Sequence, residues 1–535
     1  MLATLVTAVV DGLRGELIRV EVDVSAGLPV CQIVGLPDAA LSEARERVRG
    51  AIRNCGFDYP ASRITINLAP ADRRKRGAAY DLAIAVGILV ASGQIRPSGG
   101  RWALLGELSL SGAVEPVPGV LPMVATLARS GHGRVCVPAA NLDEALAVGG
   151  VTALGVAGLD DAARLVAGPR GRRARASHRP PPLSVSGSPG GEGSGTAGAT
   201  RRVAPAAESL AAPPELVDLR DVRGQPQARW ALEIALAGAH NLLLLGPPGA
   251  GKTLLARAIP GLLPQLDDAE ALEVAVIRSV AGFFVRGAGL GRERPFRTPH
   301  HTSSYAALVG GGPRLAPGEV TLAHRGVLFL DELAEFDRHV LEALRQPLED
   351  GTISISRAHG NVRYPARLQL VAAMNPCRCG WFGDVERQCR CAPGEPERYV
   401  RRVSGPLLDR IDLRLEMGRV SPRDLLHGPE PESSAIVADR IAAARAIALE
   451  RNGGRPNAEL SPSAALRAAR LEPRARGRLA ELATDRSLTA RGVHRIVRVA
   501  RTIADLAGEE VVDDAAVLAA AGMRDPRATL TGLAA

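Results

Sequence analysis

The chain has 535 residues, of which 46% are hydrophobic and 23% are charged, and this composition excludes a wholly disordered chain and a collagen-like repeat. Aromatic residues make up only 3%, which argues against broad stacking platforms for single-stranded bases, and the formal net charge is +9. The first residues lack the basic segment of a signal peptide, and no apolar run reaches the roughly 20 residues of a membrane-spanning helix. We therefore expect a cytoplasmic protein with no membrane partner.

The first part of the chain, residues 1–168, alternates short β-like segments with helix-like segments, which indicates an α/β domain. Residues 169–213 are rich in Pro, Gly and Ser, and their seven arginines against two glutamates account for more than half of the net charge. Such a composition cannot bury enough apolar surface to fold, so we predict a flexible linker. A solvated tether is the simpler interpretation of this segment, and contacts of its arginines with phosphate backbones are the alternative.

Two further domains are predicted after the linker. Residues 214–425 contain near-continuous aliphatic segments separated by helical stretches, which is typical of buried strands in a doubly wound parallel sheet. Residues 426–535 are rich in Ala, Leu and Arg with helical periodicity, which predicts a small helical bundle. The sequence therefore predicts an α/β fold with helices at its end.

A glycine-rich loop between an aliphatic strand and a helix-like segment carries the strongest functional signal. Its residues are Gly246, Pro247, Pro248, Gly249, Ala250, Gly251, Lys252 and Thr253. This G-x-x-x-x-G-K-T pattern predicts a loop whose backbone N–H groups surround the phosphates of ATP. Lys75 and Lys252 are the two lysines among 66 basic residues. The compact ammonium of Lys252 suits the β and γ phosphates, a role that a planar guanidinium fills poorly.

Polar residues at the ends of two later strands predict the rest of a hydrolytic site. The apolar segment 327–330 is followed directly by Asp331 and Glu332. We expect Asp331 to bind Mg²⁺ together with Thr253, and Glu332 to polarise the attacking water. A third strand ends at Asn375, whose amide is a candidate for positioning that water, with an ordinary turn residue as the alternative.

Two arginines are candidates for contacts with the γ-phosphate. Arg410 follows the sheet strands, where it would project toward the nucleotide of a neighbouring subunit as an arginine finger. Arg491 opens a helix of the C-terminal bundle and would sense the γ-phosphate. In a chain so rich in arginine, spacing alone also allows both to be ordinary surface charges.

Seven segments, in the family's order between residues 246 and 506, resemble the ComM/YifB family of magnesium-chelatase-like AAA+ ATPases, and the resemblance covers nearly the whole chain. They read GPPGAGKT, PFRTPHHTSSYAALVGGG, GVLFLDE, LEDGTISISRA, YPARLQLVAAMNPCRCG, SGPLLDRIDL and RGVHRIVRVARTIADL. The resemblance implies an AAA+ core with a C-terminal helical lid and a homo-oligomeric ring, expected to be a hexamer because the finger acts in trans. It also implies that Arg410 is that finger, Arg491 the second sensor and Asn375 the first.

Residues 352–357 and 361–365 alternate apolar and polar residues and predict a β-hairpin inserted before the Asn375 strand. In related motors such a hairpin points into the ring pore, so its basic residues are candidates for contacts with a DNA backbone. These residues are Arg357, His359 and Arg363. A hairpin that serves only subunit packing is the alternative. His300 and His301 match the PHH element of the family, and without ligand partners nearby we interpret them as loop residues near the pore or an interface.

Four of the seven cysteines follow Asn375 directly in two close pairs, as Cys377, Cys379, Cys389 and Cys391. Four thiolates in this pattern suit a tetrahedral Zn²⁺, although C-x-C pairs are tighter than the usual C-x-x-C. A four-cysteine iron–sulfur cluster is the chemical rival, and free thiols here would be open to oxidation. The family resemblance supports zinc, and we expect a structural role for it.

Residues 60–125 resemble the chelatase-associated domain, which shares the fold of the Lon-protease catalytic domain. A Ser-Lys dyad would be the enzymatic hypothesis, but Ala79 stands where the Ser would be and Leu121 where the Lys would be. Neither side chain acts as a nucleophile or a base, so we do not expect protease activity.

Two functions follow from the motifs and the resemblance together. The first is a ring-shaped motor that uses ATP to remodel branched or single-stranded DNA, with branch migration in recombination or natural transformation as the implied activity. The alternative is a magnesium-chelatase-type motor that remodels a partner protein for metal insertion. The basic hairpin and the cysteines favour DNA, and the lack of an acidic integrin-like domain weakens the alternative.

Overall fold

The structure is a computed structural model that describes residues 1–35, 39–70, 77–99, 101–168, 217–285, 287, 289–312, 315–357, 360–384 and 386–524. The predicted linker, His359 and Lys75 lie outside the described residues. The chain divides into two compact units. Unit 1 comprises Met1–Pro213 and Arg278–Gly289, and unit 2 comprises Pro214–Ile277 and Leu290–Ala535. The short segment 278–289, which the sequence places in the predicted ATPase core, thus groups with the N-terminal residues.

Unit 1 is built on a mixed seven-stranded sheet in the order β3-β4-β2-β1-β5-β8-β9. A small separate pair, β6 with β7, completes its strands. The strand bounds are β1 Leu2–Asp11, β2 Arg14–Ser25, β3 Val30–Val34, β4 Arg63–Ala69, β5 Trp102–Leu104, β6 Glu107–Leu108, β7 Val114–Glu115, β8 Arg134–Pro138 and β9 Thr152–Val156. β1 and β2 pair antiparallel over their full length, whereas β5, β8 and β9 run parallel, as expected for strands joined by helical crossovers.

The helices of unit 1 cover this sheet. They are α1 Ala39–Asn54, α2 Asp81–Ala91, α3 Val120–Arg129, α4 Leu142–Leu146 and α5 Leu159–Ala167. Every residue of α2 is buried, which explains why its sequence is apolar on all sides rather than on one face. Gly87 lets α2 approach the sheet closely, since a Cβ at this position would lie 2.7 Å from Val22 Cγ2.

Unit 2 is built on a parallel five-stranded sheet in the order β11-β14-β17-β10-β18. Two short hairpins, β12 with β13 and β15 with β16, stand apart from it. The bounds are β10 Leu242–Leu245, β11 Phe296–Arg297, β12 Gly310–Gly311, β13 Ala316–Pro317, β14 Val327–Leu330, β15 Thr352–Arg357, β16 Gly360–Pro365, β17 Gln369–Met374 and β18 Leu413–Glu416. Every residue of β10, β14 and β17 is buried, which accounts for their continuous aliphatic sequences.

Helices surround this sheet and form the end of the chain. They are α6 Pro226–Gly238, α7 Lys252–Arg257, α8 Asp268–Ala281, α9 Tyr305–Val309, α10 Glu319–Leu322, α11 Arg338–Ala343, α12 Arg345–Asp350, α13 Glu395–Val400, α14 Gly405–Leu408, α15 Pro422–His427, α16 Ser434–Arg451, α17 Pro462–Ala469, α18 Pro473–Asp485, α19 Ala490–Ala507 and α20 Asp514–Gly522. None of the helices in the described part of the chain combines the length and the hydrophobicity needed to cross a membrane.

The C-terminal helices share one hydrophobic core with the parallel sheet. Leu242 of β10 and Val371 of β17 belong to the same buried cluster as Ile441 of α16 and Val497 of α19. The structure therefore confirms the predicted α/β chain with a parallel sheet and C-terminal helices. Because the strands are parallel, the carboxyl ends of β10, β14 and β17 lie next to one another at one edge of the sheet.

Candidate functional site

Residues 246–253, which we call the phosphate-type loop, lead from the end of β10 into α7 at the carboxyl edge of the parallel sheet. Gly249 has φ = 79° and Gly251 has φ = 86°, left-handed conformations that residues with a side chain adopt at a cost. These two glycines let the backbone curl before α7 begins at Lys252. The loop thus has the shape that the motif predicts, with its backbone N–H groups leading into a helix N-terminus.

Lys252 is buried, and its ammonium lies at the centre of the loop. Lys252 Nζ donates to Gly246 O at 2.6 Å, to Pro247 O at 2.9 Å and to Asn375 Oδ1 at 3.1 Å. Burial lowers the pKa of Lys252 to about 8, against the opposing effect of the Asp331 and Glu332 carboxylates. An ammonium held by three neutral oxygens can exchange them for charged phosphate oxygens, which are stronger acceptors.

Asn375 comes directly after β17, between the strands that carry the loop and the acidic pair. Its bond to Lys252 places the amide beside the phosphate-type loop, where the sequence predicts it.

Thr253 and Asp331 meet at this edge of the sheet. Thr253 Oγ1 donates to Asp331 Oδ2 at 2.8 Å, and Asp331 follows β14 directly. A hydroxyl and a carboxylate side by side are oxygen ligands of the kind that Mg²⁺ prefers next to phosphates. The two side chains therefore fit the predicted magnesium site.

Glu332 is held by a residue that the sequence analysis did not assign to the site. Its backbone is left-handed at φ = 52°, its side chain is about half exposed, and its Oε2 lies 3.1 Å from His301 Nδ1. The His301 ring in turn contacts Phe336 edge-on at 6.5 Å between ring centroids. His301 thus orients the carboxylate predicted to polarise water, and the interpretation of this histidine as a loop residue missed that contact.

Gln225 is a second residue that sequence reasoning missed. Its side-chain amide donates to Ala250 O at 3.1 Å, inside the loop, and to Gly418 O at 2.7 Å, after β18. Gln225 therefore joins the segment before α6 to the phosphate-type loop. Its partners lie 25 and 193 positions away in the sequence, so no local pattern indicates these contacts.

Arg410 and Arg491 lie together, although 81 positions separate them in the sequence. Arg410 Nη2 bonds to Glu349 Oε2, and Arg491 Nη2 lies 3.4 Å from Glu349 Oε1. Arg410 is mostly buried, with 12% of its side chain exposed, whereas Arg491 is 70% exposed. Glu349, which the sequence analysis did not single out, therefore brings the predicted finger and the predicted second sensor to one place.

These residues line a cavity of about 590 Å³, which we call the arginine cavity. Its charged side chains are six arginines and four acids, namely Arg367, Arg410, Arg455, Arg491, Arg495, Arg498, Glu349, Asp350, Asp409 and Glu459. Burial lowers the pKa of Arg498, and its Nε has no hydrogen-bond partner among the described residues. None of the residues 246–253 belongs to the lining of this cavity.

A buried ion pair fixes the two segments that carry these arginines. Arg495, one turn after Arg491 on α19, bonds to Asp412, two residues after Arg410. Burial opposes ionisation of Asp412, but Arg495 and its other partners outweigh that effect and lower the pKa of Asp412. Asn241 Nδ2 also donates to Arg410 O at 2.8 Å, which ties this segment to the start of β10.

The predicted hairpin is present as β15 and β16, paired antiparallel from Thr352 opposite Pro365 to Arg357 opposite Gly360. Its apolar residues anchor it, since Ile353, Ile355 and Tyr364 are buried and Tyr364 Oη donates to Leu315 O at 2.5 Å.

Of the three candidate DNA contacts, Arg363 is exposed and donates to Thr352 Oγ1 from both Nε and Nη2, at 3.1 and 3.0 Å. Arg357 is the last residue of β15, and His359 lies outside the described residues.

The four clustered cysteines lie in a loop, residues 376–392, which we call the cysteine loop. All four Sγ atoms lie within 4.8 Å of one another, and those of Cys377, Cys379 and Cys389 are separated by 3.4 to 3.7 Å. A tetrahedral Zn²⁺ with Zn–S bonds near 2.3 Å places its sulfurs about 3.8 Å apart, so the arrangement fits one zinc ion. A multi-iron cluster holds its thiolates on different irons and therefore further apart.

One of the four thiols, that of Cys379, is more acidic than an ordinary cysteine, whereas burial raises the pKa of Cys377, Cys389 and Cys391. Burial opposes ionisation of Cys379, but the backbone N–H groups of Arg390 and Trp381 and the neighbouring thiols lower its pKa to about 6. A thiol with such a pKa is largely thiolate at neutral pH, which is the form that binds metal.

In unit 1, the two positions that correspond to a Ser-Lys dyad carry no catalytic group. Leu121 is fully buried in α3, and Ala79 is half-buried and packs against a hydrophobic cluster. Leu121 N donates to Glu144 Oε1 at 2.9 Å, a structural hydrogen bond.

Three family models match successive parts of the chain. The model described as "Magnesium chelatase, subunit ChlI" matches residues 218–425, which contain the whole phosphate-type site and the cysteine loop. The model "Subunit ChlI of Mg-chelatase" matches residues 20–141, and "Magnesium chelatase, subunit ChlI C-terminal" matches residues 431–524.

Three similar proteins align over almost their full lengths. The chain is 46% identical to an uncharacterized protein of Mycobacterium tuberculosis over 93% of this chain and 94% of that protein. It is 42% identical to the uncharacterized protein YifB of Escherichia coli, over 94% and 92%. It is 40% identical to the competence protein ComM of Haemophilus influenzae, over 96% and 95%.

Proposed function

The chain belongs to the ComM/YifB family of magnesium-chelatase-like AAA+ ATPases, and from this premise we propose that it is a ring-forming motor that couples ATP hydrolysis to the remodelling of DNA. One observation carries the proposal: Lys252, Asp331, Glu332 and Asn375 converge at the carboxyl edge of one parallel sheet. This is where nucleotides bind in doubly wound folds, and these groups are the ones that phosphoryl transfer needs.

Each group at this edge has a distinct role in the proposed hydrolysis. Lys252 exchanges its backbone carbonyls for the β- and γ-phosphate oxygens. Thr253 and Asp331 would hold a magnesium ion, which would neutralise phosphate charge. Glu332, oriented by His301, polarises the attacking water, and the Asn375 amide fixes that water beside the γ-phosphate.

The position of the arginine cavity supports the proposed ring. An arginine that reaches the γ-phosphoryl group adds to the charge stabilisation that Lys252 provides. Arg410 and Arg491 line a cavity that contains none of the loop residues 246–253. We assign both arginines to the nucleotide of an adjacent subunit. A cyclic assembly, with six subunits as the expected number, lets every subunit both bind a nucleotide and supply the arginines.

DNA is the substrate that the hairpin and the relatives favour. The hairpin β15–β16 presents the exposed Arg363 and directly follows α12, which carries Glu349 of the arginine cavity. The arginine cavity and the hairpin are therefore neighbours in the sequence. A change at the nucleotide that the cavity serves can move a surface suited to a phosphate backbone. One relative is named a competence protein, competence being the uptake of DNA, which supports branch migration during recombination or natural transformation.

The proposal includes a structural Zn²⁺ on Cys377, Cys379, Cys389 and Cys391, and a cytoplasmic location. The spacing of the sulfur atoms supports the ion. All seven cysteines are free of disulfides, as expected in a reducing compartment.

A chelatase-type motor is the second candidate, because the matching family models are described as magnesium-chelatase subunits. Such a motor would act on a partner protein, and its ATPase would respond to that protein or to a porphyrin. The two candidates therefore differ in what stimulates hydrolysis.

The test is a branch-migration assay on a labelled four-way DNA junction, with ATPase activity measured alongside and the Lys252→Ala variant as control. We expect ATP-dependent strand separation and stimulation of the ATPase by branched DNA. Hydrolysis of ATP without binding or movement of forks and junctions would remove the DNA motor, and stimulation by a porphyrin-carrying partner would favour the second candidate.

A further inference from the structure

We propose that the cysteine loop forms part of the wall of the nucleotide site, so that the metal held by its four cysteines strengthens nucleotide binding and the nucleotide in turn strengthens metal binding. This inference rests on the proposed function, because its ligand is the ATP or ADP that occupies the phosphate-type loop. It adds a regulatory role to a metal site that would otherwise be only structural.

The first observation is a direct contact between the two loops. Gly380 is buried, and a Cβ built on it would lie 2.5 Å from Cδ and 2.7 Å from Cγ of Pro248. Pro248 lies in the middle of the phosphate-type loop, so the backbone of the cysteine loop presses directly against the ring of that proline. No side chain other than hydrogen fits between them.

The second observation is a connection through the residues that precede Gly380 in the chain. Asn375 accepts a hydrogen bond from Lys252 Nζ, and Cys377 follows two residues later and is fully buried. The N–H of Gly380 donates to Cys377 O at 3.0 Å. Cys377 and Cys379 therefore lie between the two residues, Asn375 and Gly380, that touch the phosphate-type loop.

The third observation concerns what holds the cysteine loop in shape. Its described residues form no helix or strand between β17 and α13. Two cation–π contacts support it, since Arg387 and Arg419 lie 4.5 and 5.1 Å from the Trp381 ring centroid. Both arginines are exposed, and such contacts are weak at exposed sites. Arg419 Nη1 also donates to Glu386 Oε2 at 2.9 Å, and Asp384 Oδ1 accepts from the N–H groups of Glu386 and Arg387. A metal bound by the four cysteines would add four bonds to these contacts and fix the cysteines relative to one another.

Coupling between the two ligands follows from these contacts. A bound ion fixes the cysteine loop, and a fixed loop holds Pro248 and Asn375 in the positions that the nucleotide needs, so less ordering remains to oppose binding. Thermodynamic linkage requires the effect to be mutual and of equal size. We expect a factor of about ten in each affinity, within the usual range of such couplings.

The experiment measures both affinities on the full-length protein. A fluorescent ADP analogue is titrated into zinc-loaded protein and into protein stripped by a chelator. The zinc affinity is measured by competition with a chromophoric chelator, with and without ADP. Free ADP can itself bind zinc, and Lys252→Ala is the control for this effect. Because that variant should not bind ADP, any change in its apparent zinc affinity on adding ADP comes from the free nucleotide. We expect ADP to bind about tenfold more weakly after stripping, and zinc to bind about tenfold more tightly with ADP present.

Two glycines of the same loop supply a matched pair of variants. Gly380 has φ = 82° and Gly383 has φ = 79°, so alanine strains the backbone equally at both, but a Cβ at Gly383 meets nothing within 4 Å. Gly380→Ala should weaken ADP binding in the zinc-loaded protein and reduce the coupling, whereas Gly383→Ala should behave like the wild type. Pro248→Ala removes the contact from the other side and should reduce the coupling while zinc remains bound.

The outcomes separate this inference from the proposed function. Zinc-loaded protein that fails to bind ADP contradicts the ATPase itself. Protein that binds ADP equally well with and without zinc, or Gly380→Ala and Gly383→Ala variants with the same ADP affinity, overturns the coupling and leaves the ATPase standing. A folded protein that neither contains nor takes up zinc also overturns it.

Discussion

The phosphate-type loop and the arginine cavity belong to the same unit but differ in how their charges are satisfied. At the loop, the buried Lys252 ammonium has three oxygen partners, and the Thr253 hydroxyl donates to the Asp331 carboxylate. In the cavity, six arginines line the wall with four acids, and one arginine nitrogen has no partner among the described residues. The loop is a site that one chain can complete, whereas the cavity has positive charge to offer to a ligand bound elsewhere.

The largest effect is expected at the loop itself. Lys252→Ala removes the ammonium that meets the β and γ phosphates, so ATP affinity should fall by at least about 100-fold and hydrolysis should be lost. Lys252→Arg is the matched control, because it keeps the charge but replaces the compact ammonium with a planar fork. Binding of a fluorescent ATP analogue checks both variants. Near-normal affinity in Lys252→Ala would rule out this loop as the nucleotide site.

Glu332→Gln should separate binding from chemistry. The amide cannot polarise water as the carboxylate does, so hydrolysis should fall by about 10³ while ATP stays bound. The measurement combines single-turnover hydrolysis with retention of radiolabelled ATP. Hydrolysis at the wild-type rate would remove Glu332 from its assigned role.

The neighbouring histidines allow a sharper test of that carboxylate. His301→Ala removes the contact to Glu332 and should lower kcat by about tenfold with little change in ATP affinity. His300 is the control, because its Nδ1 lies 2.8 Å from Thr302 Oγ1 instead. If His300→Ala and His301→Ala lower kcat equally, the effect is one of loop structure and His301 does not orient Glu332.

A smaller effect is expected at Glu349. Glu349→Gln weakens the bonds that hold Arg410 and Arg491 together. Because Glu349 itself is about half exposed, solvent screens these ion pairs, which are then worth up to about 1 kcal/mol, so kcat should fall by up to about fivefold. Asp350→Asn makes the same change of charge in the cavity, but no hydrogen bond joins Asp350 to either arginine among the described residues. Equal kcat values for the two variants would show that Glu349 contributes only charge.

Much of the loop region could be predicted because its signals are local. The glycines, Lys252 and Thr253 lie within eight consecutive residues, and Asp331 and Asn375 each follow an aliphatic strand. A parallel sheet in which these strands are neighbours brings the residues together. The contact of His301 with Glu332 depends on β11 lying beside β14, which the sequence does not indicate. Glu349 joins residues 61 and 142 positions away, a distance over which no local pattern is informative.

The grouping of Arg278–Gly289 with unit 1 also depends on contacts between residues that are far apart in the sequence. No local sequence pattern assigns this segment to unit 1, and tertiary contacts do so. Gly119 N, for example, donates to Ser279 O at 2.9 Å, across 160 residues of the sequence.

Complementation between two inactive variants tests most directly whether the arginines serve a neighbour's nucleotide. Arg410→Ala keeps its loop and should lose about 10³ in hydrolysis, while Lys252→Ala keeps its arginines and binds no nucleotide. Equimolar mixed rings contain interfaces that pair an intact loop with an intact Arg410, so ATPase activity should return to about a quarter of the wild-type value. Mixed rings, shown to form, that stay as inactive as the separate variants would contradict an arginine supplied in trans.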